Sequence, residues 1–243
     1  AIEEIVERIE DIFTEKDLRS ERILVTAGPT TEYIDPVRCI TNRSSGKMGY
    51  AIAKMARRRG AEVVLITGET PIPAPREDIT IERVVTACEM RDAVMEHHRD
   101  CTVVIKAAAV ADFRCRNENC QKIKKKGDTN LMTIELEKNP DIIAEVCRVK
   151  GDRIVVGFAA ETENIIEHAI DKLRRKDLDL IVANNVAQQG IGFGSEENEV
   201  TIIDRSGATK QVPRLSKDEI AHIILDSVKK LIKKRRRSAE GHS

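Results

Sequence analysis

The sequence lacks net charge, because 41 lysines and arginines are balanced by 41 aspartates and glutamates. Seven of the basic residues lie within residues 229–237, which leaves 34 basic against 41 acidic residues, a net charge of −7, in the rest of the chain. A chain without an overall basic surface does not have the electrostatic footprint of a nucleic-acid-binding protein, and we predict no nucleic-acid partner. The basic segment could still bind a polyanion locally, but a solvated helix end stabilised by the helix dipole explains it more simply.

Long apolar runs and a secretory leader are also lacking. No apolar run approaches the roughly 18–20 residues that span a bilayer, so we predict no membrane partner. The sequence starts with Ala1-Ile2-Glu3-Glu4, which is acidic, and no apolar core of a signal peptide follows. With 41% apolar and 34% charged residues the chain can form a globular core, and we expect a soluble, cytoplasmic protein.

Metal-ligand and nucleophile signatures are lacking as well. None of the six cysteines belongs to a C-x-x-C motif, and Cys115 and Cys120 are not followed by a second pair at zinc-site spacing. His97 and His98 are adjacent on a predicted helix, so they diverge by about 100° and cannot bind one metal together. The spacings support no Ser-His-Asp or Cys-His arrangement. We therefore predict free thiols and surface histidines rather than a disulfide framework.

Buried strands alternate with amphipathic helices through most of the chain. The predicted strands of the sheet cover 22–27, 62–67, 102–107, 153–158 and 178–183. The predicted helices between them cover about 47–59, 87–99, 139–149 and 163–176. Residues 198–212 predict a hairpin that turns at 205–207, and the capping box 216–219 begins a last helix. This order predicts an α/β fold: a three-layer, doubly wound, Rossmann-like and mostly parallel sheet with a C-terminal β-hairpin.

One domain accounts for this pattern. Residues 1–20 are predicted to be an acidic helical linker, residues 21–235 a single domain, and residues 236–243 a basic, disordered tail. No internal repeat or second domain boundary is visible in the sequence.

The connection between the first predicted strand and its helix is unusually long. It covers about 18 residues, 28–45, whereas such connections usually have about two to six, and it follows the carboxyl end of a parallel strand, where α/β proteins bind ligands. It ends in Ser44-Ser45-Gly46, which offers hydroxyls and backbone N–H groups to an anion at a helix start. A serine N-cap and a tight glycine turn explain these three residues equally well, but they do not explain the length. Neither G-x-G-x-x-G nor the P-loop pattern is present.

Two further segments could approach a nucleotide. Ala108–Ala111 follow the strand that ends at Ala107, and small residues there would let a flat base or a ribose approach the backbone, although tight packing explains them equally. Asp112, which follows, could accept hydrogen bonds or hold a divalent ion. The lysine run 122–126 is either a solvated surface or a mobile loop that brings one lysine over phosphates.

Lys172 and Lys176 lie four residues apart and therefore share one face of a predicted helix. They either clamp a triphosphate or pair with nearby acids such as Asp171 and Asp177. Together with the hydroxyls and turns described above, these cations favour nucleotide-driven activation, in which positioning and charge neutralisation do most of the catalytic work.

Seven motifs occur in order along the chain and carry a resemblance to a known family. They are Asp35-Pro36-Val37-Arg38, Asn42 with Ser44–Gly49, Ala108–Arg114, Lys122–Lys125, Asn139–Ile142, Gly157–Thr162 and Ala183–Val186. Together, over residues 20–228, they resemble phosphopantothenate–cysteine ligase, the synthetase half of the bifunctional coenzyme A biosynthesis proteins of bacteria and archaea. The resemblance implies that residues 21–235 form a nucleotide-dependent ligase domain.

The resemblance implies a two-step reaction with CTP as co-substrate and Mg²⁺ as cofactor. The carboxylate of 4′-phosphopantothenate attacks the α-phosphate of CTP, which releases pyrophosphate and gives an acyl-cytidylate. The amine of L-cysteine then displaces CMP and forms 4′-phosphopantothenoylcysteine for coenzyme A biosynthesis. The family also implies a homodimer, and a flavin-dependent phosphopantothenoylcysteine decarboxylase that is fused to the ligase or works with it.

The resemblance further assigns roles to residues of this sequence. It implies that Asn42 holds the acyl-cytidylate and promotes its reaction with cysteine, that Arg38 assists, and that Lys122 lies on a mobile loop needed for activation. The positions that match the family's nucleotide contacts are Ala107, Ala108, Asp112, Lys122, Pro140, Asp141, Ile142, Ile143, Phe158, Lys172 and Lys176. Ser44, Ser45 and Gly46 are expected to bind phosphate, and Asp112 is the candidate metal ligand.

The sequence departs from the family in one loop, and two other classes of protein remain as alternatives. Asn119-Cys120-Gln121 precedes Lys122 where many relatives have Pro-Glu, so the conformation of this loop is not carried over. An NAD(P)-dependent reductase on a similar sheet would need a glycine fingerprint, which is missing. A nucleotide-sensing or nucleic-acid-binding module would depend on the basic segment 229–237.

Overall fold

The computed structural model describes residues 2–73, 78–124, 131–161, 164–185 and 195–240. The strands in these residues are β1 (Arg22–Ala27), β2 (Thr31–Asp35), β3 (Arg38–Thr41), β4 (Glu62–Thr67), β5 (Thr80–Arg83), β6 (Val103–Lys106), β7 (Phe113–Cys115), β8 (Leu136–Lys138), β9 (Ile154–Glu161), β10 (Leu180–Asn185), β11 (Glu197–Asp204) and β12 (Thr209–Ser216). Eight of them form the main sheet, in the order β12-β11-β10-β9-β6-β1-β4-β5. Neighbours from β5 to β10 pair in parallel, whereas β10 with β11 and β11 with β12 pair antiparallel.

Helices cover both faces of this sheet. They are α1 (Ile2–Phe13), α2 (Lys47–Arg58), α3 (Ala87–His97), α4 (Ile142–Arg148), α5 (Ile165–Arg175) and α6 (Lys217–Glu240), with a 3₁₀ turn at His98–Asp100 after α3. One hydrophobic cluster joins the sheet to α2 and α6, and a second joins the opposite face to α3, α4 and α5. The predicted three-layer, doubly wound α/β fold with a C-terminal antiparallel hairpin is therefore confirmed.

Alternation along the strands explains the two clusters. On β1, Val25 faces the layer of α2 and α6, whereas its neighbour Leu24 faces the layer of α3, α4 and α5, and neither is exposed to solvent. On β6, Ile105 and Val104 divide in the same way. Because both faces are covered, the central strands are continuous apolar runs, which is the signal that the sequence gives for parallel strands.

The long connection between β1 and α2 is not irregular, contrary to the expected loop. It contains the hairpin β2–β3, which is closed at Asp35, whose Oδ1 accepts hydrogen bonds from the N–H groups of Val37 and Arg38, both at 2.9 Å. This carboxylate-capped turn is a local reason for the hairpin. A second small ribbon pairs β7 with β8. Neither ribbon, nor the short edge strand β5, was predicted from the sequence.

The basic segment at the end of the chain is helical. Helix α6 buries Ile220, Ile224 and Val228 against the sheet and continues to Glu240, so residues 236–240 are helical where a disordered tail was expected. Some of its cations have buried partners: Arg235 Nη2 lies 2.5 Å from Asp179 Oδ1. Part of the basic segment is therefore built into the fold, and residues 241–243 lie outside the described residues.

The acidic N-terminal helix α1 packs on the same layer as α2. Asp11 binds Arg57 Nη1 at 2.6 Å and Arg58 Nε at 2.9 Å, and Leu18, which follows α1, is buried in the core. In the part of the chain that the structure describes, no helix has the length and apolar character that a membrane span needs.

Candidate functional site

A cavity of about 390 Å³ lies at the carboxyl edge of the parallel strands, between the segment that follows β6, the start of α4 and helix α5. Of the predicted site residues, it is lined by Asp112, Pro140, Asp141, Ile142, Ile143, Phe158, Lys172 and Lys176. The lining residues that were not predicted are Lys106, Val110, Ala111, Phe113, Lys138 and Asn139. Eight of the fourteen residues that line this cavity are thus among the predicted site residues.

The two predicted lysines of α5 reach this cavity along one helix face. Lys172 Nζ donates to the carbonyl oxygen of Phe158 at 2.8 Å, and Lys176 Nζ lies 2.7 Å from Asp141 Oδ2. Of the acids considered as partners, Asp177 instead pairs with Lys150 at 3.2 Å. Lys176 thus faces the start of α4 across the cavity.

Asp141 connects the positive charge of α5 to the start of α4. Its Oδ1 accepts the backbone N–H of Ala144 at 3.2 Å, as an N-cap does. Burial raises the pKa of Asp141, but the hydrogen bonds from Lys176 and Ala144 outweigh burial and lower it below its usual value. The carboxylate is therefore ionised at neutral pH and leaves the cavity with lysines in excess.

Lys106, the last residue of β6, is a half-buried cation of the cavity. Burial lowers its pKa, the positive charges of Lys172 and Lys176 lower it further to about 8, and Asp141 and Asp112 oppose the shift. A charged residue at the end of an otherwise apolar strand was the sequence signal that could have identified it.

Asn42 lies beside one wall of the cavity. Its Nδ2 donates to the carbonyl oxygens of Ala109 at 3.2 Å and Val110 at 3.0 Å, and Val110 lines the cavity. The same segment is attached to the connection between β1 and β2, because Ala111 N–H donates to Thr30 Oγ1 at 2.9 Å. Asn42 therefore holds the chain that follows β6, while remaining exposed.

Ala107 and Ala108 do not line the cavity. Ala108 is buried in the core, and its N–H donates to Thr26 Oγ1 at 3.2 Å. Ala107 packs against the other hydrophobic cluster. Tight packing, the alternative weighed for these small residues, describes them in this structure.

Arg38 binds Asp35 rather than lining the cavity. Its Nε donates to Asp35 Oδ2 at 3.0 Å, and its Nη2 donates to the carbonyl oxygen of Ile123 at 3.0 Å. The hydrogen bonds from Arg38, which outweigh burial, hold the pKa of Asp35 well below its usual range. Arg38 thus joins the β2–β3 hairpin to the segment that carries the exposed Lys122. Lys125 and Lys126 lie outside the described residues.

The Ser44–Gly46 turn precedes α2, and the N-cap position belongs to Gly46. Gly46 has a φ of 75°, and no side chain caps the helix there. Ser44 Oγ instead accepts the N–H of Gly46 at 3.3 Å. A Cβ on Gly46 would lie 2.7 Å from Thr70 Cγ2, so both the space and the left-handed conformation require glycine. Of the alternative weighed for these residues, the serine N-cap is not found, whereas the tight glycine turn is.

Carboxylates are few in the cavity. Asp112 is exposed and lines it together with Asp141. Among the residues that the structure describes, no three His, Cys, Asp or Glu side chains are grouped as a metal site. Mg²⁺ is commonly bound by one or two protein carboxylates plus substrate phosphates, so Asp112 fits a nucleotide-dependent site and not a preformed protein cage.

The fold and the site define a doubly wound α/β protein with a lysine-rich cavity at the carboxyl edge of its parallel strands. The family described as DNA/pantothenate metabolism flavoprotein C-terminal domain matches residues 18–232, and the chain belongs to this family. The predicted resemblance is thereby confirmed, and the alternative of an NAD(P)-dependent reductase gains no support.

Curated relatives and a solved structure are similar over nearly the whole chain. The coenzyme A biosynthesis bifunctional protein CoaBC of Vibrio cholerae is 44% identical over 223 residues, which cover 91% of this chain and 55% of the relative. The protein of the same name from Bacillus subtilis is 42% identical over 234 residues, 95% of this chain and 57% of the relative. The chain thus spans little more than half the length of these relatives. A crystal structure of the C-terminal domain of a CoaBC protein is 40% identical, with a TM-score of 0.77, and the match covers 90% of this chain and all of that chain.

Proposed function

We propose that this chain ligates 4′-phosphopantothenate to L-cysteine with CTP, and thereby serves coenzyme A biosynthesis. The observation that carries the proposal is the cavity in which Lys172 and Lys176 face the segment held by Asn42. A nucleotide triphosphate suits this site because its charge matches the excess of lysines. The membership of the chain in the family supports the same substrates.

In the first step, a carboxylate oxygen of 4′-phosphopantothenate attacks the α-phosphorus of CTP. A new O–P bond forms, the bond to the β-phosphate oxygen breaks, and pyrophosphate leaves with its electron pair. Lys172 and Lys176 stabilise the phosphate charge by position, without covalent chemistry. Lys122, exposed on the segment anchored at Ile123, is the cation proposed to complete the site from the other side.

In the second step, the amine of L-cysteine attacks the acyl carbon of the acyl-cytidylate. An amide bond forms, the amine nitrogen loses a proton, and CMP leaves with the electrons of the broken C–O bond. Asn42 is proposed to hold the acyl-cytidylate, and Ser44–Gly46 to bind phosphate at the start of α2. Arg38 acts through Asp35 and Ile123, by positioning the segment of Lys122.

Mg²⁺, when bound with CTP, supplies charge neutralisation at the phosphates, and Asp112 is its proposed protein ligand. Ala107 and Ala108 are proposed to contact the nucleotide through their backbone. The relatives are bifunctional by name, so we also propose a decarboxylase partner, fused or separate, together with a homodimeric assembly and a cytoplasmic location.

One incubation series tests the proposal. The chain is mixed with 4′-phosphopantothenate, L-cysteine, Mg²⁺ and each of CTP, ATP, GTP and UTP, and pyrophosphate and product are measured. We expect pyrophosphate only when 4′-phosphopantothenate is present, and the product only when cysteine is added as well. Pyrophosphate release that does not depend on 4′-phosphopantothenate would refute the ligase.

A further inference from the structure

Lys106 is a cation of the cavity whose ammonium has no hydrogen-bond or salt-bridge partner in the part of the chain that the structure describes. It is the last residue of β6 and is paired in register with Thr26 of β1 and Gly157 of β9. It therefore has a parallel strand on each side, at the carboxyl end of β6. Its side chain is partly buried, yet its ammonium makes no hydrogen bond or salt bridge with any residue that the structure describes. Lys172 and Lys176 in the same cavity both have oxygen partners.

A partly buried ammonium without a hydrogen-bonded partner is costly, because the charge loses water, and the carboxylates of Asp141 and Asp112 offset only part of that loss. The strand register gives the direction of the side chain. Val104 packs in the cluster of α3, α4 and α5, and Lys106, two residues further along β6, lies on the same face. The ammonium therefore belongs to the wall of the cavity that faces α4 and α5.

We propose that Lys106 binds the polyphosphate of the nucleotide, as a third lysine beside Lys172 and Lys176. The identity of the nucleotide in this assignment rests on the proposed function, whereas the class of ligand, a polyphosphate anion, does not. An anion would supply the missing partner of Lys106 and would bridge it to the two lysines of α5. Within the described residues, Lys106 is the one of the three lysines whose ammonium has no hydrogen bond or salt bridge to give up when the phosphates bind.

Titration gives this role a second signature. The charged groups that face Lys106 are Lys172 and Lys176 on α5, Asp141 at the start of α4 and Asp112 after β6. Lys138 on β8 also lines the cavity. Since the pKa of Lys106 is about 8, its charge is lost in the free protein as pH rises from 7 to 9, whereas an ordinary lysine stays protonated.

The test measures binding by calorimetry for CTP, tripolyphosphate and cytidine. Lys106→Met removes the charge with little change of shape, Lys106→Arg keeps the charge, and Lys210→Met, on the exposed part of β12, is the matched control. We expect Lys106→Met to lower the affinity for CTP and for tripolyphosphate by about tenfold or more, because a charged hydrogen bond to the phosphates is lost. Cytidine binding and the control should be unchanged.

The pH series sharpens the test. Wild-type affinity for tripolyphosphate should fall between pH 7 and 9, and this fall should be much smaller in Lys106→Met. The role of Lys106 is overturned if the affinity of Lys106→Met for tripolyphosphate is within twofold of the wild-type value. It is also overturned if the affinity for cytidine falls as much as the affinity for tripolyphosphate. If the wild-type protein forms no 4′-phosphopantothenoylcysteine but Lys106→Met still has a lower affinity for tripolyphosphate, the ligase proposal fails and the proposed anion site remains.

Discussion

The carboxylate of Asp35 accepts a hydrogen bond from the backbone N–H of Ile123 at 3.1 Å, although the two residues lie 88 positions apart in sequence. Arg38, which binds the same carboxylate, donates to the carbonyl oxygen of Ile123 at 3.0 Å. Ile123 is therefore fixed at both of its backbone polar groups by one hairpin turn. Because Lys122 precedes Ile123 directly, the turn sets the position from which Lys122 is proposed to reach the nucleotide.

Asp35→Asn should slow the first step of the reaction. The amide carries no charge and has one acceptor oxygen instead of two, so it cannot keep all the hydrogen bonds from Val37, Arg38 and Ile123. The segment of Lys122 then loses part of its anchor, and misplacement of a catalytic group costs about tenfold or more in rate. We expect lower pyrophosphate release, an unchanged KM for cysteine, and faster amide hydrogen exchange at residues 122–124. Asp152→Asn, an exposed carboxylate elsewhere, is the control. Unchanged exchange at Ile123 would disprove the anchoring role.

Asn42→Asp should separate the two steps. The Nδ2 of Asn42 donates to two carbonyl oxygens, whereas an aspartate carboxylate cannot donate and would repel both. We expect acyl-cytidylate to form and to accumulate, with product formation slower by about 10- to 100-fold. Rapid quenching with labelled CTP measures both species, and Gln211→Glu on the exposed hairpin is the matched change of amide to acid. Wild-type turnover in Asn42→Asp would remove Asn42 from this role.

Lys122→Gln should block the first step, because it removes a cation from the phosphates. Lys124, exposed on the same segment, provides a matched control as Lys124→Gln. We expect pyrophosphate release to fall by about 100-fold or more in the first variant and to change little in the second. The measurement is single-turnover pyrophosphate release, and acyl-cytidylate that accumulates in Lys122→Gln would contradict the assignment. The reverse ranking of the two variants would assign the role to Lys124.

The sheet was predictable from the sequence because each of its central strands is buried on both faces and is therefore apolar throughout. Of the predicted residues that line the cavity, Asp112, Lys172 and Lys176 were named from the sequence pattern, whereas Pro140–Ile143 and Phe158 were named through the resemblance to the family. The ribbon of β7 and β8 was not, since its strands have three residues each and Phe113 pairs with Lys138, far away in sequence. Lys106 was predicted only as part of a strand, and the structure alone places it in the lining of the cavity, in register with β1 and β9.

Asp17 makes the acid stability of the fold testable. It binds Arg59 Nη2 at 2.7 Å, both side chains are less than a tenth exposed, and the hydrogen bond from Arg59 lowers the pKa of Asp17 to about 2. Because the folded-state pKa lies below the unfolded value of 3.8, the carboxylate stabilises the fold above about pH 4. That contribution is lost as pH falls from about 4 to about 2.

Asp17→Asn should therefore lower the free energy of unfolding by about 2 kcal/mol at pH 7, as measured by urea denaturation. The difference from wild type should shrink as the pH falls from about 4 to about 2, because protonation removes the same charge in wild type. Asp226→Asn is the matched control: its carboxylate lies 2.8 Å from Arg59 Nη1 but is 56% exposed, so we expect less than about 1 kcal/mol. An Asp17→Asn deficit that is the same at pH 7 and pH 2.5 would show that packing, and not the ion pair with Arg59, is what the substitution removes.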